Sequence, residues 1–229
     1  MVEEINSLTQ NIEIKFKTVD APFEARGKAS NVVKNLRDAL DQAVYAASWK
    51  LTGKSSKHTH FPFGSDPEDF KKAIALNRCS DIPTKLYPIL SSFEPYPTGN
   101  TYPGGDNALR LLGRISGPNK HQIALIVSMD AKKVSFGFPG GGTMHIKEGL
   151  GFVKFPFLKE RPHKNELVVL SMPPGSDIEG QLQVHGVFHV AFSYPELRQV
   201  PATDFLEYCS RRVSQIVQDL RAEAIVLSP

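Results

Sequence analysis

Between Asn31 and Trp49 the hydrophobic positions Val33, Leu36, Leu40, Ala43, Val44 and Ala47 recur at three- and four-residue steps, while Lys34, Asp38, Asp41 and Gln42 fall on the opposite side. This spacing predicts a helix with one buried face. Ser30 is its expected N-cap, and Gly53 its expected stop, where a left-handed residue is tolerated. Ser65-Asp66-Pro67-Glu68 reads as a capped start with proline in the first turn and opens a short helix running to Leu76. A further helix is expected from Pro83 to about Phe93. The segment Glu94-Pro-Tyr-Pro-Thr-Gly-Asn100, continued by Pro103-Gly-Gly105, is a turn-rich connection that neither a helix nor a central strand accommodates. Asp106 or Asn107 then caps a helix of Ala108 to about Ser116, with Ala108, Leu111, Leu112 and Ile115 on one face, stopped by Gly117-Pro118.

After that break the pattern changes. The run Ile123-Ala-Leu-Ile-Val127 within His121–Met129 is short and β-branched, as a buried strand would be. Strand-like segments follow at Val134–Phe138, Gly151–Phe157, Glu166–Ser171 and Gln181–Phe192, separated by Gly, Pro and charged turns. From Ala202 to Ala224 the residues Leu206, Cys209, Val213, Ile216 and Leu220 restore helical spacing. The expected architecture is therefore α+β. An N-terminal helical bundle (about 28–118) is followed by an antiparallel sheet (about 121–193) and a C-terminal amphipathic helix (about 202–224), in one domain of residues 1–229.

Composition narrows the class. At 229 residues with 41% hydrophobic and 22% charged positions, the chain can bury about 70% of its unfolded surface without a metal or a disulfide. Cys79 and Cys209 are isolated and form no C-x-x-C pair, which suits a reducing cytosol. No stretch approaches the roughly 18 apolar residues of a membrane span, and residues 2–7 lack the basic and apolar regions of a signal peptide. A cytoplasmic protein is expected. Net charge is +3 and the basic clusters Lys54/Lys57/His58, Lys159/Arg161/His163/Lys164 and Arg211/Arg212 are each short enough to be solvated surface.

Candidate chemistry is sparse. Phe138-Pro-Gly-Gly-Gly-Thr143 lacks the Gly-Lys-Ser/Thr ending of a phosphate loop and reads as a glycine turn between strands. His185 and His189 lie roughly 13 Å apart on a strand, too far to share an ion, and His58 with His60 has no third ligand, so neither a metal nor a cofactor is expected. No nucleophile elbow, zinc-peptidase pair or dinucleotide fingerprint is present. Two polar clusters remain. Along the first helix Asn35, Asp38 and Gln42 form a line at i, i+3, i+7, with Arg37 and Asp41 as an i, i+4 pair. Asn119-Lys120-His121 stands at the junction of a helix and a strand, a place where rigid elements hold binding groups.

These stretches carry a resemblance. Asn35-Leu-Arg-Asp-Ala-Leu-Asp-Gln42, Phe61-Pro-Phe63, Glu94-Pro-Tyr96 and Asn119-Lys-His-Gln122 resemble, in order and approximate spacing over about residues 28–127, a family of uncharacterised bacterial and phage proteins. Its members show Asn-Leu-Arg-Ser-Ala-Leu-Asp-His, Phe-Pro-Ile, Gln-Pro-Tyr and Asp-Lys-His-Arg. This chain departs from them at Gln42, where the family has His, and at Gln122, where it has Arg. The Arg-to-His spacing is also similar to that of HEPN proteins, which implies a metal-independent endoribonuclease. In that reading His121 is the acid or base and Arg37 or Arg114 steadies phosphate charge. Two other readings stand beside it: a binding module that recognises a nucleotide, an RNA or a protein partner through Asn35, Asp38, Asp41, Gln42, Asn119 and Lys120, and a hydrogen-bonded lock of Arg37, Asp41, Asn119 and His121 joining helices to sheet.

Overall fold

A computed structural model describes residues 2–5, 10, 12–17, 23–54, 59–75, 79–117, 125–137, 143–147, 159–161, 166–172 and 181–228. The chain gathers into two compact units. One comprises residues 1–23 and 124–202, and the other residues 24–123 and 203–229.

The second unit is helical. Its elements are α1 (Phe23–Thr52, with Phe23 at the boundary), α2 (Pro67–Ala75), α3 (Tyr87–Ser92, preceded by a 3-10 turn Thr84–Leu86), α4 (Asn107–Ile115) and α5 (Ala202–Val226). Helix α1 runs a full two turns upstream of the expected start at Asn31. Ala29 extends the buried stripe toward the N-terminus, and Glu24, Ala25, Arg26 and Lys28, good helix formers, let the helix continue through Ser30 despite Gly27. At its other end Gly53 takes φ +64° and donates its N–H to the Trp49 carbonyl at 2.8 Å, the left-handed stop that the sequence predicts. Asp66 caps α2 by accepting the Asp69 N–H at 2.8 Å, and the Asp69 carboxylate reaches back to the Ser65 N–H at 2.7 Å. That backbone N–H, ahead of the Ser65 hydroxyl, holds the Asp69 carboxyl below its ordinary value. Asp106, not Asn107, caps α4, with the Leu109 N–H at 2.8 Å from Oδ1.

Leu40, Val44, Phe61, Phe70, Leu86, Leu90, Leu112, Ile115, Ile216 and Leu220 are buried and form the apolar interior of this unit. Burying a large aliphatic or aromatic side chain contributes about 1.5–3 kcal/mol, so the helices are held mainly by these faces.

In the first unit the described strands pair antiparallel. β1 (Val2–Ile5), β2 (Ile12–Lys17), β6 (Glu166–Met172) and β5 (Lys159–Arg161) lie in the order β1-β2-β6-β5. β4 (Thr143–Lys147), β3 (Leu125–Gly137) and β7 (Gln181–Phe192) lie in the order β4-β3-β7. Two expectations change here. The described parts of the expected strands His121–Met129 and Val134–Phe138 are not separate: Leu125–Gly137 is one strand, whose pairing with β7 shifts register between Ala131 and Lys133. The first residues also contribute strands that the sequence reading did not assign. Ile12-Glu-Ile-Lys-Phe-Lys17 alternates apolar and charged residues, and pairs with β6 more than 140 positions away. The Gly151–Phe157 strand and the turn residues 138–142 lie outside the described residues.

Candidate functional site

Arg37 and Asp41 are one helical turn apart on α1, so their side chains meet as an i, i+4 pair. The Arg37 guanidinium reaches the two carboxylate oxygens at 3.2 Å from Nε to Oδ2 and 3.0 Å from Nη2 to Oδ1. The loop at residues 59–63 crosses the same point. The Phe61 N–H donates to Asp41 Oδ1 at 2.8 Å, the Phe61 carbonyl accepts from Arg37 Nη2 at 3.1 Å, and His60 Nδ1 lies 3.0 Å from Asp41 Oδ2. Phe61 is buried and Arg37 lies over the Phe63 ring, 4.5 Å from its centroid. The Cys79 thiol donates to the His60 carbonyl at 3.3 Å, and burial pushes that thiol up to about 11.

This arrangement satisfies Asp41 completely. A carboxylate has about four lone-pair sites, and two guanidinium nitrogens, one backbone N–H and one imidazole nitrogen take them. The side chains of Arg37 and Asp41 are only 20% and 21% exposed, whereas the His60 side chain is 33% exposed. Chemically the cluster pins a loop to a helix, and it fixes the partly exposed imidazole by one nitrogen.

A second arginine is held in the same manner. Arg212 of α5 donates through Nε to Asp106 Oδ2 at 2.9 Å and through Nη2 to the Phe93 carbonyl at 3.2 Å, with its guanidinium 5.9 Å from the Phe93 ring centroid. Phe61 and Phe93 stack with centroids 6.3 Å apart, so the two clasps adjoin one aromatic cluster. The Cys209 thiol faces the Ala108 carbonyl, and burial, then the Asp106 charge, pushes it up to about 12.

The outer face of α1 is of another kind. Asn31, Asn35, Asp38, Gln42, Tyr45 and Trp49 recur at alternating four- and three-residue steps and therefore share one face. Tyr45 is 40% exposed and Trp49 55% exposed, and they are an i, i+4 pair. Lys28 and Lys34, both exposed, stand about 60° to either side of that stripe by helix geometry. Residues 24–54 hold six basic and three acidic side chains, a net +3 equal to that of the whole chain. The rest of the protein therefore sums to zero.

The structure thus divides the expected site residues. Asn35, Asp38 and Gln42 belong to the outer stripe, Arg37 and Asp41 to the clasp, and Arg114 is an exposed residue of the last turn of α4. Asn119, Lys120, His121 and Gln122 lie outside the described residues, as does His58. The expected Arg37–Asp41 pair is present, and its described partners are His60 and Phe61. The sequence carries little sign of His60, because its contact with Asp41 depends on the path of a loop. Tyr45 and Trp49 could have been found as aromatic residues on the polar side of a periodic helix. Arg212, read from sequence as part of a solvated Arg211/Arg212 pair, is instead half-buried and bonded. Among the described residues no group of three or more His, Cys, Asp or Glu side chains is placed to hold a metal ion, and no helix is long and apolar enough to cross a membrane. Comparison with known proteins finds no family model, no curated protein and no solved structure that matches the chain.

Proposed function

We propose that this α+β protein, a helical bundle combined with antiparallel sheet, is a recognition protein whose helical unit binds single-stranded RNA along α1. The observation that carries this reading is the exposed stripe. Two aromatic rings one turn apart supply faces on which unpaired bases stack, and Asn35 and Gln42 supply amides for base edges. Lys28 and Lys34 flank them within the segment that holds the chain's net positive charge. Asp38, in the middle of the stripe, repels phosphate and accepts from the N–H donors of base edges or from a ribose 2′-hydroxyl, which disfavours a phosphate at that point.

Binding is preferred over cleavage for a reason of bond count. Arg37, one of the two arginines that the HEPN-like reading offers to the phosphate beside Arg114, has Nε and Nη2 committed to Asp41 and the Phe61 carbonyl. Gln42, standing where the resembled family has His, has no proton to exchange near neutrality. One observation favours the alternative of a metal-independent endoribonuclease: the carboxylate on His60 Nδ1 orients a partly exposed imidazole as an acid–base group requires.

A labelled, mixed-sequence single-stranded oligoribonucleotide in EDTA tests both. Anisotropy should show binding that weakens with salt at a log–log slope of about −0.7 per phosphate contacted. Trp49→Ala and Tyr45→Ala should each weaken it roughly 5- to 150-fold, the equivalent of about 1–3 kcal/mol of lost stacking. Binding indifferent to both substitutions, or none at low salt, refutes the reading. Cleavage abolished by His60→Ala in a normally folded protein would replace it with the nuclease.

A further inference from the structure

We infer that the helical unit holds a second, small-molecule site for an amino-acid-type zwitterion with an aromatic side chain, in the cleft between α5, the N-terminal end of α4 and the Phe93–Thr98 segment. The cleft has a volume of about 460 Å³ and is lined by Phe93, Glu94, Thr98, Asp106, Tyr208 and Arg212 among others. That volume lies within the roughly 300–1,000 Å³ of small-ligand pockets.

The ligand class follows from which polar groups are already used. Asp106 is spent, with Oδ1 on the Leu109 N–H and Oδ2 on Arg212 Nε. Glu94 accepts the Gly105 N–H at 2.8 Å through Oε2, and its Oε1 takes no hydrogen bond among the described residues. Arg212 uses Nε and Nη2, and its Nη1 has no partner among the described residues. The Thr98 hydroxyl accepts from Asn107 Nδ2 at 2.8 Å and keeps its own proton to donate.

The lining therefore offers a charged acceptor together with a charged and a neutral donor. Two carboxylates against one guanidinium make the lining net negative, which disfavours a simple anion. A simple cation would leave Arg212 Nη1 and Thr98 unmatched. An ammonium at Glu94 and a carboxylate at Arg212 and Thr98 satisfy both. The Tyr208 ring, 46% exposed, supplies an apolar face for the side chain.

The polar groups are also held before any ligand arrives. The Thr98 N–H donates to Asn107 Oδ1 at 2.9 Å, and the Asp106 N–H bonds both the Glu94 and Tyr96 carbonyls at 3.0 and 2.8 Å. Glu94 itself is fixed at φ +50°, a conformation that residues with a side chain rarely adopt. Rigid placement of this sort lowers the ordering cost of binding.

The test is isothermal titration of the full chain with L-phenylalanine, phenethylamine and 3-phenylpropionate, which share the ring and differ in charge. L-phenylalanine should bind, with each single-charge analogue weaker by about tenfold or more, equivalent to about 1.4 kcal/mol. Tyr208→Ala and Glu94→Gln should each weaken L-phenylalanine several-fold. The melting temperature of Tyr208→Ala, a change at an exposed side chain, should stay unchanged. No heat from any ligand at about 10 mM, equal affinity for an analogue, or full affinity in Tyr208→Ala overturns the proposal. The RNA measurement is independent of this outcome, because Tyr45 and Trp49 lie outside the cleft lining.

Discussion

Replacing Asp41 by alanine removes one carboxylate and strands three donor groups. The buried Phe61 N–H loses its partner at 2.8 Å, the Arg37 fork loses contacts at 3.0 and 3.2 Å, and His60 Nδ1 loses one at 3.0 Å. A buried donor left unsatisfied costs about 1–3 kcal/mol. The ion pair adds less than the roughly 3–5 kcal/mol of a fully buried one, because both side chains are about one-fifth exposed and solvent screens them. The expected loss is about 2–4 kcal/mol. At roughly 2–4 °C per kcal/mol for chains of this size, the melting temperature falls by roughly 4–16 °C. Trp49 is the sole tryptophan and belongs to the helical unit, so its fluorescence in a urea titration follows that unit specifically. Asp41→Asn should fall between, since an amide oxygen still accepts from Phe61 while its NH₂ faces other donors. Arg37→Ala and Asp41→Ala combined should be less damaging than their sum by about 1 kcal/mol or more. A loss in Asp41→Ala below about 0.5 kcal/mol, or strict additivity with Arg37→Ala, would refute the clasp.

Three further outcomes are expected. Asp106→Ala removes both the N-cap of α4 and the anchor of Arg212, and should cost about 2–3 kcal/mol in urea denaturation, against about 1 kcal/mol for a cap alone; a loss confined to the cap value would show that the Arg212 contact adds nothing. Gly105→Ala meets φ +104° and a Cβ only 2.6 Å from the Pro97 carbonyl oxygen, so about 2–4 kcal/mol of stability should disappear, and near-wild-type melting would contradict that loop geometry. Cys79 and Cys209 should resist a thiol reagent at pH 8 until the protein unfolds. Their folded values, about 11 and about 12, lie above the ordinary 9.0, so the neutral thiols add stability that is fully present below pH 9 and is lost as pH rises through 11 and then 12. A double Cys→Ser variant whose alkaline denaturation matches wild type would contradict this.

Helices were the legible part of this protein because their signals are local. The spacing of Val33, Leu40, Val44 and Ala47, the Asp66-Pro67 start and the Gly53 stop each act within a few residues, and each has its expected partner in the structure. Ser30 does not set the start of α1, because it is a good cap only where the chain leaves the helix, and buried Ala29 lies within the helix just before it. The strict alternation of 12–17 does not by itself make a strand, since six residues need neighbouring strands to become stable, and for β2 those neighbours are β1 and the distant β6.

For the candidate sites the division is the same. Periodicity alone determines that Asn35, Asp38 and Gln42 share a helix face and that Arg37 can reach Asp41, because both follow from 3.6 residues per turn. Only the tertiary structure decided that His60 and the Phe61 backbone complete the Asp41 clasp across 19 and 20 positions, and that Arg212 reaches Asp106 across 106. Such contacts are set by how loops and helices pack around the Phe61 and Phe93 rings. The energy that brings those groups together is the burial of apolar area, which has no direction along the chain, so the local sequence cannot name the polar partners that the packing delivers.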